Sequence, residues 1–338
     1  MVNLTEKVVI DTDNTMGKPF WWNDDGLAIL YSFGEKRIDV MGITTVYGNS
    51  SVKNVYKYTK ELLTVIEKEE IPLKRGAENN EDLNTEAAEF LADVANKNPG
   101  EISILSLGPL TNLYGAHLKD PSFFENLKQI IFMGGITEDR ITLGRTKIKD
   151  VNLRRDLTAA LKVIKAKTKV TAITCDICKS VPLKKTHLKQ LTFWPSELVK
   201  KIDYEFWMHY KIHKLNHIFI WDVLVPVYLT NPEIFAKNIV QIKSSNVNDI
   251  KNGQLRKGSK EGNQIYMPHE IIDKKRFYEK IIATWRNLRE IFEKKSKKYK
   301  ILKDNKLKIS IFKFFLSFII PLSLRIMYKK QDEYFYEE

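Results

Sequence analysis

The sequence predicts an α/β fold whose open, mostly parallel sheet is covered by helices on both faces. Short apolar runs rich in Val and Ile recur along the chain, and segments with a helical apolar stripe separate them. Acidic and polar residues stand where several of these runs end. Because a strand, a helix and a second strand in this order form a right-handed crossover between parallel strands, we expect both faces of the sheet to be buried.

The amino-terminal unit shows the pattern most clearly. Val8 to Ile10 form a β-branched run that is typical of a strand buried on both faces, and Asp11 and Asp13 follow it. After a loop that contains glycine and proline, Asp24 and Asp25 stand directly before an apolar segment that we predict to be a helix. Four carboxylates therefore meet at one corner between a strand, a loop and a helix.

The other predicted elements alternate in the same way. The predicted strands are 38–46, a short extended piece at 71–74, 102–107, 129–133 and 169–174. The predicted helices are 52–67, 81–96, one that begins near 108–112, and 156–165. Ligands of such sheets bind beyond the carboxyl ends of the strands. The residues that we expect there are Asp11, Asp13, Asn49 and Leu107, the last through its carbonyl.

The four acids at the first corner favour a bound cation. Like charges a few ångströms apart in a partly dry site repel one another strongly unless positive charge is present. Carboxylates, carbonyls and water suit Ca²⁺ or Mg²⁺, and the absence of a nearby Cys or His argues against Zn²⁺. In the alternative interpretation, Asp24 caps the helix, Asp25 interacts with the helix dipole, and Asp11 and Asp13 lie in a solvated loop.

Length and composition favour one large domain. The chain has 338 residues, 43% of them hydrophobic, which is enough for a substantial core. We predict a catalytic domain at 1–293 and a separate extension at 294–338. Since no secretory signal pattern precedes Lys7, we expect a cytoplasmic protein. Cys175 and Cys178 form a CxxC that we expect to be two reduced structural thiols, with a redox pair or half a zinc site as alternatives.

The basic residues are concentrated near the carboxyl terminus. Residues 289–330 contain thirteen Lys or Arg against three acids, within a chain of net charge +13. Because this excess is not spread around a groove, we expect no nucleic-acid partner. The apolar segment 309–327 is interrupted by Lys313, Pro321 and Arg325, a pattern that resembles an interfacial amphipathic helix in contact with a membrane surface. The preferred interpretation is a terminal helix that docks on the domain or on a second subunit.

Seven motifs in a fixed order resemble the inosine-uridine preferring nucleoside hydrolases. They are DTD at 11–13, DD at 24–25, ITTVYGNS at 43–50, SLGPLTNLYGA at 106–116, IIFMGG at 130–135, DVN at 150–152 and WD at 221–222. Each motif is weak alone, but the ordered set is specific and spans about residues 7 to 290. The resemblance implies a Rossmann-like α/β fold, a tightly held Ca²⁺, and hydrolysis of a ribonucleoside to ribose and a free base.

The same resemblance implies a role for each matched residue. Asp13 corresponds to a calcium ligand and to the general base that activates a calcium-bound water. The implied calcium ligands are Asp13, Asp25, the carbonyl of Leu107, and Asp222. The implied ribose contacts are Asp24, Asn49, Asp150 and Asn152, and Asp11 supports the corner from behind. The expected partners are a small ribonucleoside and further copies of this chain, and the expected role is in nucleoside salvage.

Three departures from the family pattern concern the substrate. Trp221 stands where inosine-uridine members carry a His that protonates the departing base, so we place it at the substrate without that role. Asp150 is shorter than the Glu expected there. The loop between the first two acid pairs is longer than usual and brings Trp21 and Trp22 toward the rim of the site, either to stack on a base or to pack on a neighbouring loop.

Three histidines offer candidates for the missing acid. His209, His213 and His217 repeat every four residues in a segment that we predict to be helical, which would align them on one face. One of them could contact the base. The alternatives are a transition-metal site or a simple polar stripe, and Tyr204 and Tyr210 are comparable candidates for the base contact.

Two other functions compete with nucleoside hydrolysis. Residues 8–15, VVIDTDNT, also satisfy the DxDxT pattern of haloacid-dehalogenase-like phosphatases, but the later pair of metal-binding acids of that family is not found. The other candidate is a nucleoside-binding protein that has kept the fold and lost turnover. The departures from the family pattern at Trp221 and Asp150 motivate this candidate.

Overall fold

An eight-stranded sheet runs through the protein, whose computed structural model describes residues 5–19, 21–137, 140–237, 239–242, 247–256 and 263–293. The strands are β1 (Glu6–Thr12), β2 (Ile38–Thr45), β3 (Leu73–Arg75), β4 (Ile102–Ser106), β5 (Gln129–Met133), β6 (Ile141–Leu143), β7 (Thr146–Ile148), β8 (Lys169–Ile173), β9 (Leu183–Lys184), β10 (His217–Ile218), β11 (Ile239–Ile242) and β12 (Asn263–Tyr266). The α-helices are α1 (Asp24–Gly34), α2 (Val52–Val65), α3 (Glu86–Lys97), α4 (Thr111–Lys119), α5 (Asn152–Arg155), α6 (Leu157–Ile164), α7 (Cys175–Lys179), α8 (Lys185–Leu188), α9 (Ser196–His213), α10 (Leu224–Thr230), α11 (Val247–Lys251) and α12 (Lys274–Arg286). A short 3-10 helix covers Pro232–Ile234.

Seven strands of the main sheet run parallel to their neighbours. Their order is β12-β8-β5-β4-β1-β2-β3, and β11 joins β12 as an antiparallel edge strand. Because β1 lies between β4 and β2, the carboxyl ends of these three strands meet at one edge of the sheet. The predicted α/β fold with an open, mostly parallel sheet is confirmed.

Two hydrophobic cores lie on the two faces of the sheet. Val8 of β1 packs into one core together with Leu27 of α1 and Trp285 of α12. Val9, the next residue, packs into the other core with Leu113 of α4. Since successive side chains of a strand point to opposite faces, β1 is buried on both sides. The helices cover both faces of the sheet, as predicted.

Most predicted elements begin and end within a few residues of the observed ones. β5 has the predicted bounds, 129–133. α3 begins at Glu86 instead of residue 81, because the Thr85 hydroxyl caps it by accepting a hydrogen bond from the Ala88 amide at 3.2 Å. The capping side chain therefore fixes a later start than the apolar stripe predicted.

The segment that contains the three histidines departs from its prediction. α9 ends at His213, because Lys214 adopts the left-handed conformation with φ 59°, which terminates a helix. His217 lies in β10 instead, opposite Lys184 of β9. The prediction that His209, His213 and His217 share one helical face is therefore wrong for His217.

The predicted carboxyl-terminal extension, 294–338, lies outside the described residues, and so does its amphipathic segment. Across the described part of the chain, no helix combines the length and the apolar character that a membrane span requires.

α12 holds α1 in place, and α1 carries two of the candidate site acids. The Trp285 side chain is fully buried, and its indole N–H donates a hydrogen bond to the Leu27 carbonyl at 3.2 Å. We expect Trp285→Ala to lower the free energy of unfolding by about 3–5 kcal/mol, because it leaves a large cavity and removes the hydrogen bond to the Leu27 carbonyl. Urea unfolding measures the change. In the matched control Trp207→Ala, which removes a side chain of a residue that is 41% exposed, we expect a change within about 0.5 kcal/mol. Similar losses in both variants would contradict this description of the core.

Candidate active site

Three buried carboxylates meet at the corner where β1 ends and α1 begins. Asp24, Asp25 and Asp222 each place one carboxylate oxygen within 4.8 Å of the others. Asp24 and Asp25 form the first turn of α1, whereas Asp222 comes from the turn directly before α10 in the far half of the chain. The fold thus brings together two parts of the chain that are distant in the sequence.

Asp13 is a fourth buried acid at this corner. Its Oδ2 atom accepts a hydrogen bond from the backbone N–H of Asn49 at 2.7 Å. The Asn49 side chain in turn donates to Oδ2 of Asp25 at 3.3 Å, and the Thr12 hydroxyl donates to Oδ1 of Asp25. A Cβ atom at Gly48 would lie only 2.1 Å from Oδ2 of Asp13, so a glycine is needed for this close approach.

Asp11 supports the corner from behind. Its carboxylate accepts hydrogen bonds from the Thr44 hydroxyl at 2.6 Å and from the Asn112 amide at 2.7 Å, with a longer one from Ser106 at 3.5 Å. Burial raises the pKa of Asp11 to about 6, although these hydrogen bonds oppose the shift. Asp11 therefore ties together the ends of β1, β2 and β4 and the first turn of α4.

The acids of the corner raise one another's pKa. Burial, and then the negative charge of Asp25, raise the pKa of Asp13 well above its usual value. The same two causes raise the pKa of Asp24 to about 8. Burial, followed by the charge of Asp24, raises the pKa of Asp222 well above its usual range. The corner contains more negative charge than its buried surroundings can stabilise.

Two oxygen atoms of this corner show that a cation fits. Oδ1 of Asp13 and Oδ1 of Asp24 are buried and accept no hydrogen bond. Buried carboxylate oxygens are normally hydrogen-bonded, paired with a cation or bound to a metal. A donor set of carboxylate oxygens is the set that hard divalent cations such as Ca²⁺ and Mg²⁺ prefer. The residues present therefore fit a metal ion.

A cavity of about 960 Å³, including its open mouth, adjoins the acids. This volume lies in the range of about 300–1,000 Å³ that is typical of small-molecule sites. The predicted site residues that line the cavity are Asp24, Asn49, Leu107, Asp150, Asn152, Trp221 and Asp222. The other three, Asp11, Asp13 and Asp25, are buried beside this wall.

The two residues of the DVN motif in the cavity already have protein partners. The Asn152 amide donates to the carbonyl of Leu107 at 2.8 Å and to that of Met133 at 3.1 Å. The Asp150 carboxylate accepts a hydrogen bond from the Leu153 N–H at 2.8 Å, and burial raises its pKa to about 6. Asp150 therefore caps the short helix α5 in addition to facing the cavity.

The CxxC supports the cavity wall. Cys175 and Cys178 are free, buried cysteines on α7, and burial raises the pKa of both thiols well above the usual value. The Cys178 thiol donates to the carbonyl of Trp221 at 3.3 Å. The Cys175 thiol faces Oδ2 of Asp150 at 3.9 Å. Both thiols contact residues of the wall, and their raised pKa makes them poor nucleophiles.

Of the two adjacent tryptophans, the second reaches the cavity. Trp22 lines it together with Trp221, and their ring centroids are 6.4 Å apart. Trp21 is not a lining residue, and the Lys18 ammonium lies over its ring at 3.6 Å. The structure therefore places Trp22, and not Trp21, in the wall of the cavity.

The histidines occupy three different environments. His213 lines the cavity, and His217 does not. His209 is fully buried, its ring is perpendicular to that of Trp22 with 4.6 Å between the ring centroids, and burial lowers its pKa to about 3. Tyr210 is 57% exposed on the outer face of α9 and is not among the lining residues, nor is Tyr204.

The apolar part of the wall was not predicted from the sequence. These residues are Met133, Leu143, Ile148, Met208 and Ile212. Leu143 and Ile148 belong to the hairpin formed by β6 and β7, and Met208 and Ile212 belong to α9. Apolar side chains of this kind carry no chemical signal in a sequence, so only the fold identifies them.

Residues 8–279 match the model of the family described as inosine-uridine preferring nucleoside hydrolase. The chain belongs to this family. The match begins in β1 and ends in α12, so it includes the acids of both halves of the chain.

Relatives and solved structures agree with this assignment. Uridine nucleosidase 1 of Arabidopsis thaliana is 27% identical over 278 residues, which cover 72% of this chain and 80% of that protein. The pyrimidine-specific ribonucleoside hydrolase RihB of Escherichia coli is 24% identical over 160 residues, 38% of this chain and 47% of that protein. The structure of the plant nucleoside hydrolase PpNRh1 superposes with a TM-score of 0.71 at 21% identity, covering 83% of this chain and 98% of that one. The purine-preferring ribonucleoside hydrolase of Gardnerella vaginalis gives the same TM-score at 18% identity, over 85% and 99% of the two chains.

Membership of this family identifies the chain as a nucleoside N-ribosyl hydrolase. The family binds a metal, and the buried acidic cluster agrees with that property. The named relatives and structures differ in the base that they prefer, so they do not assign a base to this chain. The resemblance inferred from the ordered motifs is confirmed.

The contact between Gly48 and Asp13 gives a test of the corner. We expect Gly48→Ala to displace the Asp13 carboxylate and to lower nucleoside hydrolysis about 100-fold, because a misplacement of about 1 Å within an active site can have that effect. Gly100→Ala is the control, since a Cβ atom there meets nothing within 4 Å. Gly48 and Gly100 both have a positive φ, +155° and +75°, so both variants introduce backbone strain. Ribose release by the folded variants measures the effect, and equal activity in the two would contradict the assigned contact.

Proposed function

We propose that this chain hydrolyses the N-glycosidic bond of ribonucleosides to ribose and a free base, with Asp13 as the general base and Ca²⁺ at the acid corner. One observation carries the proposal: buried carboxylates with unpaired oxygens adjoin a cavity that has two tryptophans in its wall. An acidic region suits a sugar that becomes positively charged, and an aromatic wall suits a planar base.

The proposed calcium ligands come from three parts of the chain. They are the carboxylates of Asp13, Asp25 and Asp222 and the carbonyl of Leu107. This carbonyl accepts one hydrogen bond from Asn152 and retains a second lone pair for a cation. Ca²⁺ tolerates irregular sets of about six to eight oxygens, which suits a corner assembled from loops and turns. When bound, a cation of this kind orients the ribose hydroxyls and makes a neighbouring water more acidic.

The chemistry of the chain's own residues follows from their positions. As the bond from C1′ to the base nitrogen breaks, its electron pair moves to the base and positive charge develops on the sugar. Carboxylates held in place before the reaction stabilise that charge without reorganising. Oδ1 of Asp13 is proposed to accept the proton of the attacking water, since Oδ2 is already held by the Asn49 N–H.

The remaining polar residues of the wall are proposed to bind the sugar. Asp24, Asn49 and Asn152 present groups that can contact ribose hydroxyls. Asp150 is proposed to contact a hydroxyl with the oxygen that does not cap α5. Asp24 is the best placed to accept a hydrogen bond from the substrate, because its Oδ1 has no partner.

A nucleoside-binding protein without turnover is the second candidate. It is favoured by the backbone hydrogen bond that already engages Asp150 and by the presence of Trp221 in place of a histidine. Release of ribose from a panel of purine and pyrimidine ribonucleosides separates the two, because a binder would saturate without forming product. The phosphatase hypothesis has no support from the family match.

Asp13→Asn tests the general base. The amide can still accept the hydrogen bond from the Asn49 N–H, but it cannot take a proton from water. We expect kcat to fall by a factor of about 10² to 10⁴ with the fold unchanged. Asp39→Asn, which changes an exposed acid of β2, is the matched control and should keep wild-type activity. A near-wild-type rate for Asp13→Asn would remove this residue from the mechanism.

Calcium binding has a readout that does not depend on turnover. A ligand that binds only the folded state stabilises it, by about 2.7 kcal/mol at 100 times its Kd. We therefore expect Ca²⁺ to raise the Tm of the chelator-treated protein, and Asp222→Asn to remove most of that increase. Asp39→Asn should respond to Ca²⁺ as the wild type does. An equal response of Asp222→Asn and the wild type would contradict the proposed ligand set.

A further inference from the structure

The hairpin of β6 and β7 packs against the end of α9. Gly144 lies in the turn of the hairpin with φ +57°, and a Cβ atom there would be 2.0 Å from the carbonyl oxygen of His213. Glycine at this position lets the turn approach the end of the helix closely. The hairpin also adds Leu143 and Ile148 to the cavity wall. The end of α9 is therefore held directly by one wall of the cavity.

The His213 side chain is held by the same hairpin. Its Nδ1 atom lies 3.0 Å from the hydroxyl of Thr146 in β7. Only 5% of the residue is exposed, yet it lines the cavity. Among the described residues, the hydrogen-bond partner of the ring is Thr146, and it engages Nδ1. One ring nitrogen is thus anchored, and the other remains available to a molecule in the cavity.

The surroundings of His213 suit a planar, partly polar group. The apolar lining residues Leu143 and Ile148 belong to the hairpin that holds His213, and Met208 and Ile212 belong to the same helix as His213. The Trp22 ring, which also lines the cavity, packs on His209, one helical turn before His213. Sugars are bound by polar and charged groups, whereas a base is bound by aromatic and apolar surfaces with a few hydrogen bonds. This part of the wall is therefore suited to the base.

The protonation state of His213 fits a hydrogen-bond donor. Burial lowers its pKa below the usual value of 6.5, so the imidazole is neutral at pH 7. If Nδ1 accepts the hydroxyl proton of Thr146, the single ring proton lies on Nε2. A neutral imidazole of this kind can polarise a reacting group by donating a hydrogen bond.

We propose that His213 contacts the departing base through Nε2–H and stabilises the negative charge that develops on it, with Thr146 as the positioning residue. The inference rests on the proposed function. The C1′–N bond breaks and its electron pair goes to the base, an oxygen of water forms the new bond to C1′, and the water proton goes to Asp13. The base leaves as an anion that takes its proton from solvent, so His213 donates a hydrogen bond without losing its proton.

Leaving-group dependence tests this role. The panel compares a ribonucleoside that the wild type hydrolyses with p-nitrophenyl β-D-riboside, whose phenolate leaves without assistance. We expect His213→Phe to lower kcat/KM for the nucleoside by about 10² to 10³, the usual effect of losing a donor to a developing anion. The loss for the p-nitrophenyl substrate should be at least tenfold smaller, because its leaving group needs no donor. A tenfold difference corresponds to about 1.4 kcal/mol of stabilisation.

Three further variants separate positioning from folding. Thr146→Val removes the hydroxyl and should shift the ratio of the two substrates in the same direction by a smaller factor, whereas Thr146→Ser should restore the wild-type ratio. His217→Phe, which changes the histidine outside the cavity wall, is the matched control and should leave the ratio unchanged.

The outcomes are distinguishable. Equal losses for both substrates in His213→Phe, or no loss for either, would overturn the role of His213. A ratio that is unchanged in Thr146→Val would overturn the positioning role of Thr146. If the wild type releases ribose from no ribonucleoside, the proposed function itself fails, and this result is obtained before any variant is examined.

Discussion

Mutual repulsion among buried carboxylates is the constraint on which the site depends. Asp13, Asp24, Asp25 and Asp222 are buried together, and burial and their mutual repulsion raise their pKa values. Such an arrangement is stable only if the acids bind protons or share a cation. Every other feature of the corner either holds these acids in position or supplies further oxygen atoms.

The topology of the sheet brings these carboxylates together. Because β1 lies between β4 and β2, the residues that follow each strand converge on one edge of the sheet. Asp11 connects these strand ends through its hydrogen bonds to Thr44 and Asn112. α1 is held against α12 by Trp285, so the first-turn acids Asp24 and Asp25 have a fixed position. The same packing that stabilises the domain therefore positions the charged groups.

Local patterns predicted much of this arrangement. The apolar run at 129–133 predicted the bounds of β5. The two acid pairs on either side of the first loop could be recognised directly in the sequence. The proximity of Asp222 came only from the family resemblance, because nothing in its local sequence indicates a partner in the first thirty residues. The end of α9 was missed because Lys214, not a glycine, adopts the left-handed conformation. The hairpin at 141–148 was missed because strands of three residues carry too little periodicity to be recognised.

The cavity has two regions with different chemistry. Fixed negative charge suits the sugar, and an apolar wall with one anchored imidazole suits the base. A crystal structure of the protein grown with Ca²⁺ and ribose tests the central claim most directly. The account predicts one ion bound by Asp13, Asp25, Asp222 and the carbonyl of Leu107, with the sugar hydroxyls beside it. An ion bound elsewhere, or a corner that remains without metal at saturating Ca²⁺, would contradict it.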